Sequence, residues 1–219
     1  MTTTGGRRPP RAPRLSRTAT LAQTRALAEH SGALVAQLRT EIGVPDRPNG
    51  HPALVMLMGF PGVGKTHCAR LLVAKVGGAH VATDHLRSRL FIAPSYAAEE
   101  NRAVFTLVET LVDELLAEGH VVVLDATNLI ARHRAPLESV ASRRGVALLN
   151  VLVVADDAEV RARLAARAVA RSAGDHSDAD VGVYEKMRRR GFEAPDHFVE
   201  LRNGPDVGAE IERIAASLS

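Results

Sequence analysis

The chain has 219 residues, of which 46% are hydrophobic and 24% charged, an ordinary globular composition long enough for one domain of moderate size with appendages. It has no run of about 18 apolar residues, no apolar core of a secretory signal and a single cysteine, so we expect a cytoplasmic protein without a membrane span or an intrachain disulfide. The net charge of +3 belongs to the leader, because residues 1–50 hold eight arginines against three acids, whereas residues 51–219 hold 20 basic against 22 acidic residues and show no overall nucleic-acid footprint.

The first 50 residues are predicted to lie outside the main domain. Residues 1–17 form a disordered basic tail, either solvated or in contact with a polyanion, whose arginines are Arg7, Arg8, Arg11, Arg14 and Arg17. Residues 18–50 form a helical extension and linker, because apolar residues recur at helical spacing as far as Ile42 and are followed by a segment rich in Pro and Gly. The helix packs either on the core or on a partner. The main domain is expected over residues 51–219.

The central motif is a phosphate-binding loop (P-loop) that follows the pattern G-x-x-x-x-G-K-[ST]. It consists of Gly59, Phe60, Pro61, Gly62, Val63, Gly64, Lys65 and Thr66. An unbroken apolar run over residues 53–58 precedes it as a buried parallel strand, and residues 67–76 follow it as a helix. Such a loop cradles phosphates with its backbone N–H groups, while the lysine reaches the β- and γ-phosphates and the hydroxyl holds Mg²⁺. Cys68 is either a small packed hydrophobe or a reactive thiol near the helix N-terminus.

The remaining chain alternates strands and helices, which predicts a parallel sheet covered on both faces. The expected strands end near Thr83, Leu124, Val154 and Leu201, and the expected helices span about 85–91, 97–117, 131–144, 156–171, 178–190 and 206–218. We therefore predict a three-layer α/β P-loop NTPase of the kinase type with a five-stranded parallel sheet, preceded by the helical N-terminal extension.

Candidate catalytic residues follow the ends of the first three strands, where open parallel sheets gather ligands. Lys65 follows the first strand, Asp84 the second and Asp125 the third. Asp84 is positioned to accept the proton of an acceptor hydroxyl, with Arg87 one helical turn away to orient it or the acceptor. The alternative is that Asp84 caps a helix and Arg87 is a surface charge.

The metal and the nucleotide are also suggested by sequence. Thr66 and Asp125 are the expected Mg²⁺ ligands. The residue after Asp125 is Ala126 and not the glutamate that polarises water in motor ATPases, which favours transfer to an acceptor over hydrolysis. No Asn-Lys-x-Asp stretch is present to read guanine, which favours ATP over GTP. The spacing of the histidines does not support a dedicated transition-metal site.

Arginines at helical spacing predict a lid over residues 156–178. Arg163, Arg167 and Arg171 share one helix face and could clamp negative charge on the transferred phosphoryl group. The alternative is a solvated basic face. For the second basic cluster, which comprises Lys186, Arg188, Arg189 and Arg190, the solvated face is the preferred interpretation.

With these motifs in place, residues 53–200 resemble the P-loop kinases grouped around phage-type polynucleotide 5′-kinases, zeta toxins and small-molecule phosphotransferases, and in particular a bacterial group of predicted ATP-binding kinases. Beyond the P-loop, the resemblance is carried by Thr83-Asp84-His85-Leu86-Arg87, Val123-Leu124-Asp125-Ala126-Thr127-Asn128-Leu129, Arg163-Leu164-Ala165-Ala166-Arg167 and Ser177-Asp178-Ala179-Asp180. Residues 184–187 and 192–195 also resemble kinases that act on aminoacyl-tRNA.

The resemblance implies a role for each motif. Asp84 would be the general base and Arg87 its acceptor-binding partner; Asp125, Thr127 and Asn128 would lie near the acceptor; Arg163 and Arg167 would be the lid arginines. The chain departs from RNA-repair kinases because it has no phosphatase or ligase module, and its main domain has no evident basic channel. We therefore expect a kinase that transfers the γ-phosphate of Mg-ATP to a hydroxyl of a polynucleotide 5′ end or a small metabolite. The alternative is an ATP-binding regulatory module.

Overall fold

The computed structural model describes residues 31–91, 96–170 and 179–218. The basic tail, the first part of the N-terminal helix, Arg171 and Ser177-Asp178 lie outside the described residues. Five strands form the sheet: β1 (Ala53–Met58), β2 (Ala79–Ala82), β3 (Val121–Asp125), β4 (Ala147–Val154) and β5 (Val199–Arg202). The described residues also form eight helices: α1 (Ser31–Glu41), α2 (Lys65–Val76), α3 (Thr83–Leu90), α4 (Ala98–Ala117), α5 (Ala131–Arg144), α6 (Asp157–Ala170), α7 (Val181–Arg190) and α8 (Val207–Ala216).

The sheet is entirely parallel, with the strand order β2-β3-β1-β4-β5. The chain leaves β1 towards one edge and later crosses from β3 to β4 on the other side, so the carboxyl end of β1 lies where the connections diverge. Ligands of open α/β sheets bind at such a point. In register, Asp125 pairs with Leu57 of β1 and with Ala82 of β2. The residues that follow these three strands therefore share one edge of the sheet.

Each face of the sheet carries its own apolar core. On one face, alternate residues of β1 such as Leu54 and Met56 pack with α3, α4 and α5. On the other face, Val55 and Leu57 pack with residues of α2, α6, α7 and α8. All six residues of β1 are buried, as expected for a central parallel strand. The predicted three-layer α/β fold with a five-stranded parallel sheet is confirmed.

Helix α1 packs on this core. Its Val35 and Leu38 are only 3% and 1% exposed and belong to the same apolar cluster as α4. At the end of α1, the carboxylate of Glu41 forms an ion pair with the guanidinium Nε of Arg89 on α3 at 2.8 Å. The helix is therefore attached to the element that carries Asp84. No helix among the described residues is long and apolar enough to cross a membrane.

One element boundary differs from the sequence prediction in a way that concerns the site. Strand β2 ends at Ala82 and α3 begins at Thr83, whereas the sequence suggested a strand through Thr83. Ala82 pairs with Asp125, the last residue of β3, so the neighbouring strand offers β2 no partner beyond that point. The chain turns into a helix at once, and Thr83 donates its hydroxyl to the Asp125 carbonyl at 3.3 Å.

Candidate phosphoryl-transfer site

The P-loop connects β1 to α2 and is tied to the loop that follows β3. The amide N–H of Gly59 donates to the Thr127 carbonyl at 3.0 Å. Two residues earlier, in β1, the Leu57 carbonyl accepts a hydrogen bond from the side-chain amide of Asn128 at 2.9 Å. These bonds fix the start of the P-loop against the Asp125–Asn128 segment, which the sequence placed near the acceptor.

Two glycines of the loop have no room for a side chain. A Cβ atom on Gly59, whose φ is 144°, would lie 2.6 Å from the Val153 carbonyl oxygen of β4. At Gly64, whose φ is 94°, it would lie 2.0 Å from the side-chain amide nitrogen of Asn203. Positive φ angles and close approach together require glycine at both positions. The packing of the loop against β4 and against the residue that follows β5 therefore requires the glycines of the P-loop motif at these two positions.

The ammonium group of Lys65 folds back onto the P-loop. The Nζ atom donates to the Phe60 carbonyl at 3.1 Å. Burial lowers the pKa of Lys65, and the charge of Arg167 lowers it further, while the carboxylates of Asp125 and Asp84 act in the opposite direction. Two of the predicted carboxylates and one predicted lid arginine thus lie within electrostatic range of the P-loop lysine.

Thr66 and Asp125 form the candidate Mg²⁺ site. Asp125 is 6% exposed, and Thr66 contributes a side-chain hydrogen bond to its carboxylate. Burial alone would raise the pKa of Asp125, but the hydrogen bonds from His80 and Thr66 and the charge of Lys65 together hold it below its ordinary value. A hydroxyl and an ionised carboxylate are the hard oxygen donors that Mg²⁺ prefers, and one or two such protein ligands suffice when phosphates supply the others. The residues present therefore fit the ion.

Asp84 lies in the first turn of α3, two residues beyond the end of β2. The residue at the N-cap of this helix is Ala82, which offers no side-chain cap, so Asp84 is not the N-cap residue that the alternative interpretation required. Its carboxylate raises the pKa of Lys65, so it lies within electrostatic range of the P-loop lysine.

Arg87 is a buried residue and not a surface charge. Its side chain is 6% exposed, and its Nη2 donates to the Asn101 side chain at 2.7 Å. Its Nη1 lies 3.7 Å from a carboxylate oxygen of Glu100, and its guanidinium stacks on the ring of Tyr96 at 4.6 Å. Helix α4 therefore holds Arg87 in place one turn beyond Asp84, and its predicted contact with the acceptor stays a prediction.

Of the two predicted lid arginines on α6, Arg163 reaches the P-loop. Arg163 Nη1 lies 3.5 Å from the Val63 carbonyl, and its Nη2 pairs with Glu159 at 2.7 Å. Arg167 lies one turn further along α6, and its positive charge lowers the pKa of Lys65. Arg161 points away from them, because its Nη1 donates to Glu185 of α7 at 2.8 Å.

The segment after β3 is held by a residue that the sequence analysis missed. Arg134 is 2% exposed and donates from Nη1 to the Asn128 carbonyl at 2.8 Å and from Nη2 to the Glu193 carbonyl at 2.7 Å. Asn128 itself has a φ of 45°, is 1% exposed and donates to β1, so the structure gives it a bracing role, while Thr127 contributes its backbone carbonyl to Gly59. Their predicted contacts with the acceptor are not visible and stay predictions.

Two further residues of the site escaped sequence reasoning. His80 of β2 places Nε2 at 3.4 Å from a carboxylate oxygen of Asp125. Asn203 follows β5 and donates its side-chain amide to the Val63 carbonyl of the P-loop at 2.8 Å. The position of Asn203 at the carboxyl end of a strand was the signal that could have identified it, whereas His80 lies within a strand and carries no such signal.

The fold and these motifs agree with the comparison to known families. Residues 54–195 match the model of an AAA domain family, AAA_33. The chain belongs to this family. No curated protein matches the chain. The match spans the P-loop, Asp84, Asp125 and both predicted lid arginines, and it ends before Asn203.

Solved structures with the same fold include several proteins described as kinases. APS kinase CysC from Mycobacterium tuberculosis, in complex with AMPPNP and APS, is 20% identical, with a TM-score of 0.57 over 78% of this chain and 98% of its own. Kti12 from Chaetomium thermophilum, in complex with ADP-AlF3, is 21% identical, with a TM-score of 0.60 over 75% and 96%. A gluconokinase from Sinorhizobium meliloti is 16% identical, with a TM-score of 0.50 over 78% and 97%. These similarities confirm the P-loop kinase fold.

Proposed function

We propose that this protein is an ATP-dependent kinase that transfers the γ-phosphate of Mg-ATP to a hydroxyl of its acceptor. The observation that carries the proposal is that three charged groups from different elements lie within electrostatic range of Lys65: Asp125 at the end of β3, Asp84 in the first turn of α3 and Arg167 of α6. A site that only binds a nucleotide needs no carboxylate at the position of Asp84. A site that transfers a phosphoryl group needs a base for the attacking hydroxyl beside the cations that stabilise the phosphoryl charge.

The residues divide the work as follows. The N–H groups of Gly59–Thr66 bind the phosphates, and Lys65 neutralises charge on the β- and γ-phosphates. Thr66 and Asp125 would hold Mg²⁺, which supplies charge neutralisation across the phosphates. Asp84 accepts the proton of the acceptor hydroxyl as that oxygen attacks the γ-phosphorus, and ADP leaves. Arg163 and Arg167 stabilise the negative charge that develops on the transferred group.

Two relatives support the choice of nucleotide. The APS kinase is bound to the ATP analogue AMPPNP, and Kti12 is bound to ADP-AlF3. Both bound nucleotides are ATP analogues or products of ATP, which supports ATP as the phosphoryl donor here. We place the protein in the cytoplasm, where ATP is available, and leave the acceptor as either a polynucleotide 5′-hydroxyl or a small metabolite.

The test is transfer from γ-labelled ATP to a 5′-hydroxyl oligonucleotide, as DNA and as RNA, and to a panel of hydroxylated metabolites. Lys65→Ala is the control, since it removes the ammonium group and leaves the loop glycines in place. We expect label on at least one acceptor class and none with the control. ATP binding without transfer to any acceptor would reject the kinase proposal and favour the ATP-binding regulatory module.

A further inference from the structure

A cavity of about 380 Å³ lies between the start of α5 and the end of α7. It is lined by Ile130, Arg132, Arg190, Gly191 and Glu193. Two of these five residues are arginines, contributed by different helices, and both are exposed. No predicted site residue lines this cavity, so the proposed transfer chemistry does not account for it.

The two arginines have no acidic partner within the described part of the chain. Neither Arg132 nor Arg190 forms an ion pair with any residue that the structure describes. The one acid of the cavity, Glu193, already accepts the backbone N–H of Ala131 at 2.8 Å through Oε2. Surface arginines are usually solvated, but two that face one cavity from two helices present a concentrated positive charge.

The walls of the cavity are fixed by hydrogen bonds. Arg134 joins the carbonyls of Asn128 and Glu193, and the backbone N–H of Glu193 donates to the Leu129 carbonyl at 2.9 Å. The segment that carries Glu193 is therefore bound to the start of α5 on both sides. A preformed site loses less conformational entropy when a ligand binds than a flexible surface does.

Both walls of the cavity are connected along the chain to residues that contact the P-loop. Thr127, which accepts the Gly59 N–H, precedes Ile130 by three residues, or about 10 Å of extended chain at most. Tyr184 packs edge to face against Phe60 of the P-loop at 6.1 Å, and Arg190 lies six residues further along α7, about 9 Å at the helical rise. The cavity thus lies on the order of 10 Å from the P-loop.

We propose that this cavity, the Arg132–Arg190 cavity, binds a phosphate group that the acceptor carries remote from its reacting hydroxyl. Arginine is the side chain best suited to this ligand, because its planar guanidinium donates two parallel hydrogen bonds to phosphate oxygens. A separation of this order fits an acceptor longer than a simple sugar. The proposal rests on the proposed kinase function, because only a kinase has an acceptor. The binding of phosphate at the cavity is nevertheless measurable without phosphoryl transfer.

The end of α7 fits the same ligand. Arg189 and Lys186 are exposed next to Arg190, whereas Arg188 is occupied by Asp157 of α6 at 2.6 Å. The sequence favoured a solvated face for this cluster. The structure brings Arg132 of α5 to the cluster and forms a cavity between them, which a helix surface alone does not have.

The test compares Arg132→Ala/Arg190→Ala with a control of equal charge, Lys75→Ala/Arg143→Ala. Lys75 and Arg143 lie in the last turns of α2 and α5, at the opposite edge of the sheet from the P-loop. Excess AMPPNP and Mg²⁺ keep the phosphate probes out of the P-loop. The probes are pyrophosphate, followed by calorimetry, and a short fluorescent single-stranded oligonucleotide with a 5′-hydroxyl, followed by anisotropy at several salt concentrations.

We expect the cavity variant to bind at least one probe about tenfold more weakly than the wild type, and the control to bind as the wild type does. If the oligonucleotide is the probe affected, two lost phosphate contacts should reduce the salt slope by roughly 1.4, and the acceptor is a polynucleotide. If only pyrophosphate is affected, the acceptor is a small phosphorylated molecule.

Equal weakening in both double variants, no weakening in either, or no binding of either probe to the wild type would overturn the proposal. A wild-type protein that binds the probes through this cavity but transfers no phosphate to any acceptor would count against the kinase proposal alone. The two failures are therefore distinguishable.

Discussion

The side-chain amide of Asn203 donates to the carbonyl of Val63 at 2.8 Å, which connects the end of the last strand to the middle of the P-loop. Asn203 is 7% exposed, and its own backbone N–H donates to the Val154 carbonyl of β4 at 2.8 Å. Asn203 is thus bound to β4 through its backbone and to the P-loop through its side chain. A carbonyl that is held by a hydrogen bond in this way leaves the neighbouring N–H groups free to face a bound phosphate.

Replacing Asn203 with alanine should weaken the nucleotide site. The loss of a buried hydrogen bond should lower the free energy of unfolding by about 1–2 kcal/mol, and the less ordered loop should bind ATP roughly tenfold more weakly. Equilibrium urea unfolding and ATP titration measure the two effects separately.

Asn150→Ala is the matched control for this prediction. Asn150 is 8% exposed and donates its side-chain amide to the His197 carbonyl at 3.3 Å, within β4 and away from the P-loop. We expect it to lower stability without a change in ATP affinity. If both variants lose ATP affinity in proportion to their loss of stability, Asn203 has no specific role at the loop.

Asn203 also shows where sequence reasoning succeeds and where it stops. The P-loop, the strands and the helix over residues 131–144 were predicted because glycine spacing and apolar runs are local signals. Asn203 packs so closely against Gly64 of the P-loop that a Cβ atom there would collide with it. The two residues are 139 positions apart in the sequence, and no local pattern relates them. Contacts of this kind depend on how distant segments pack.

Buried arginines are the second case that the sequence could not predict. Arg134 stands in a polar helix segment, and Arg87 resembles a surface charge, yet their side chains are only 2% and 6% exposed. Their burial is stabilised by partners on other elements, namely Glu193 for Arg134 and Asn101 on α4 for Arg87. The lid arginines, in contrast, share one helix face, and helical spacing alone predicted that Arg163 and Arg167 act together.

Asp84→Asn should separate catalysis from binding. The amide keeps the size of the side chain and cannot accept the proton of the acceptor hydroxyl, so phosphoryl transfer should fall roughly hundredfold or more. ATP affinity should change little, because the proposal assigns Asp84 no contact with the nucleotide. Single-turnover transfer and ATP titration test the two expectations, and nearly unchanged transfer would remove Asp84 as the base.

Cys68 should be unreactive in the folded protein. Its side chain is fully buried in the core beside Leu72, and burial, with a further contribution from the charge of Asp125, raises the pKa of the thiol to about 11. A raised pKa leaves the thiol protonated, so at pH 8 only on the order of one molecule in a thousand carries a thiolate.

Labelling with iodoacetamide between pH 7 and pH 9 checks this prediction. We expect the native protein to react more than tenfold more slowly than the urea-unfolded chain across this range. Comparable rates for the two states would instead support a reactive thiol near the helix N-terminus.

Arg167→Ala should reduce turnover far more than ATP affinity. Its guanidinium acts on Lys65 within the site, and a cation that stabilises the transferred phosphoryl group contributes mainly in the transition state. We expect phosphoryl transfer to fall roughly hundredfold or more, with ATP affinity within a few-fold of the wild type.

Arg161→Ala is the matched control on the same helix. Arg161 pairs with Asp157 and Glu185, both at 2.8 Å, on the side of α6 that faces α7. Removing these solvent-screened ion pairs should change stability little and leave turnover nearly unchanged. If Arg161→Ala and Arg167→Ala lower turnover equally, the effect belongs to the integrity of α6 and not to a charge at the γ-phosphate. If Arg167→Ala mainly weakens ATP binding, its guanidinium contacts the ground-state nucleotide and the proposed clamp is wrong.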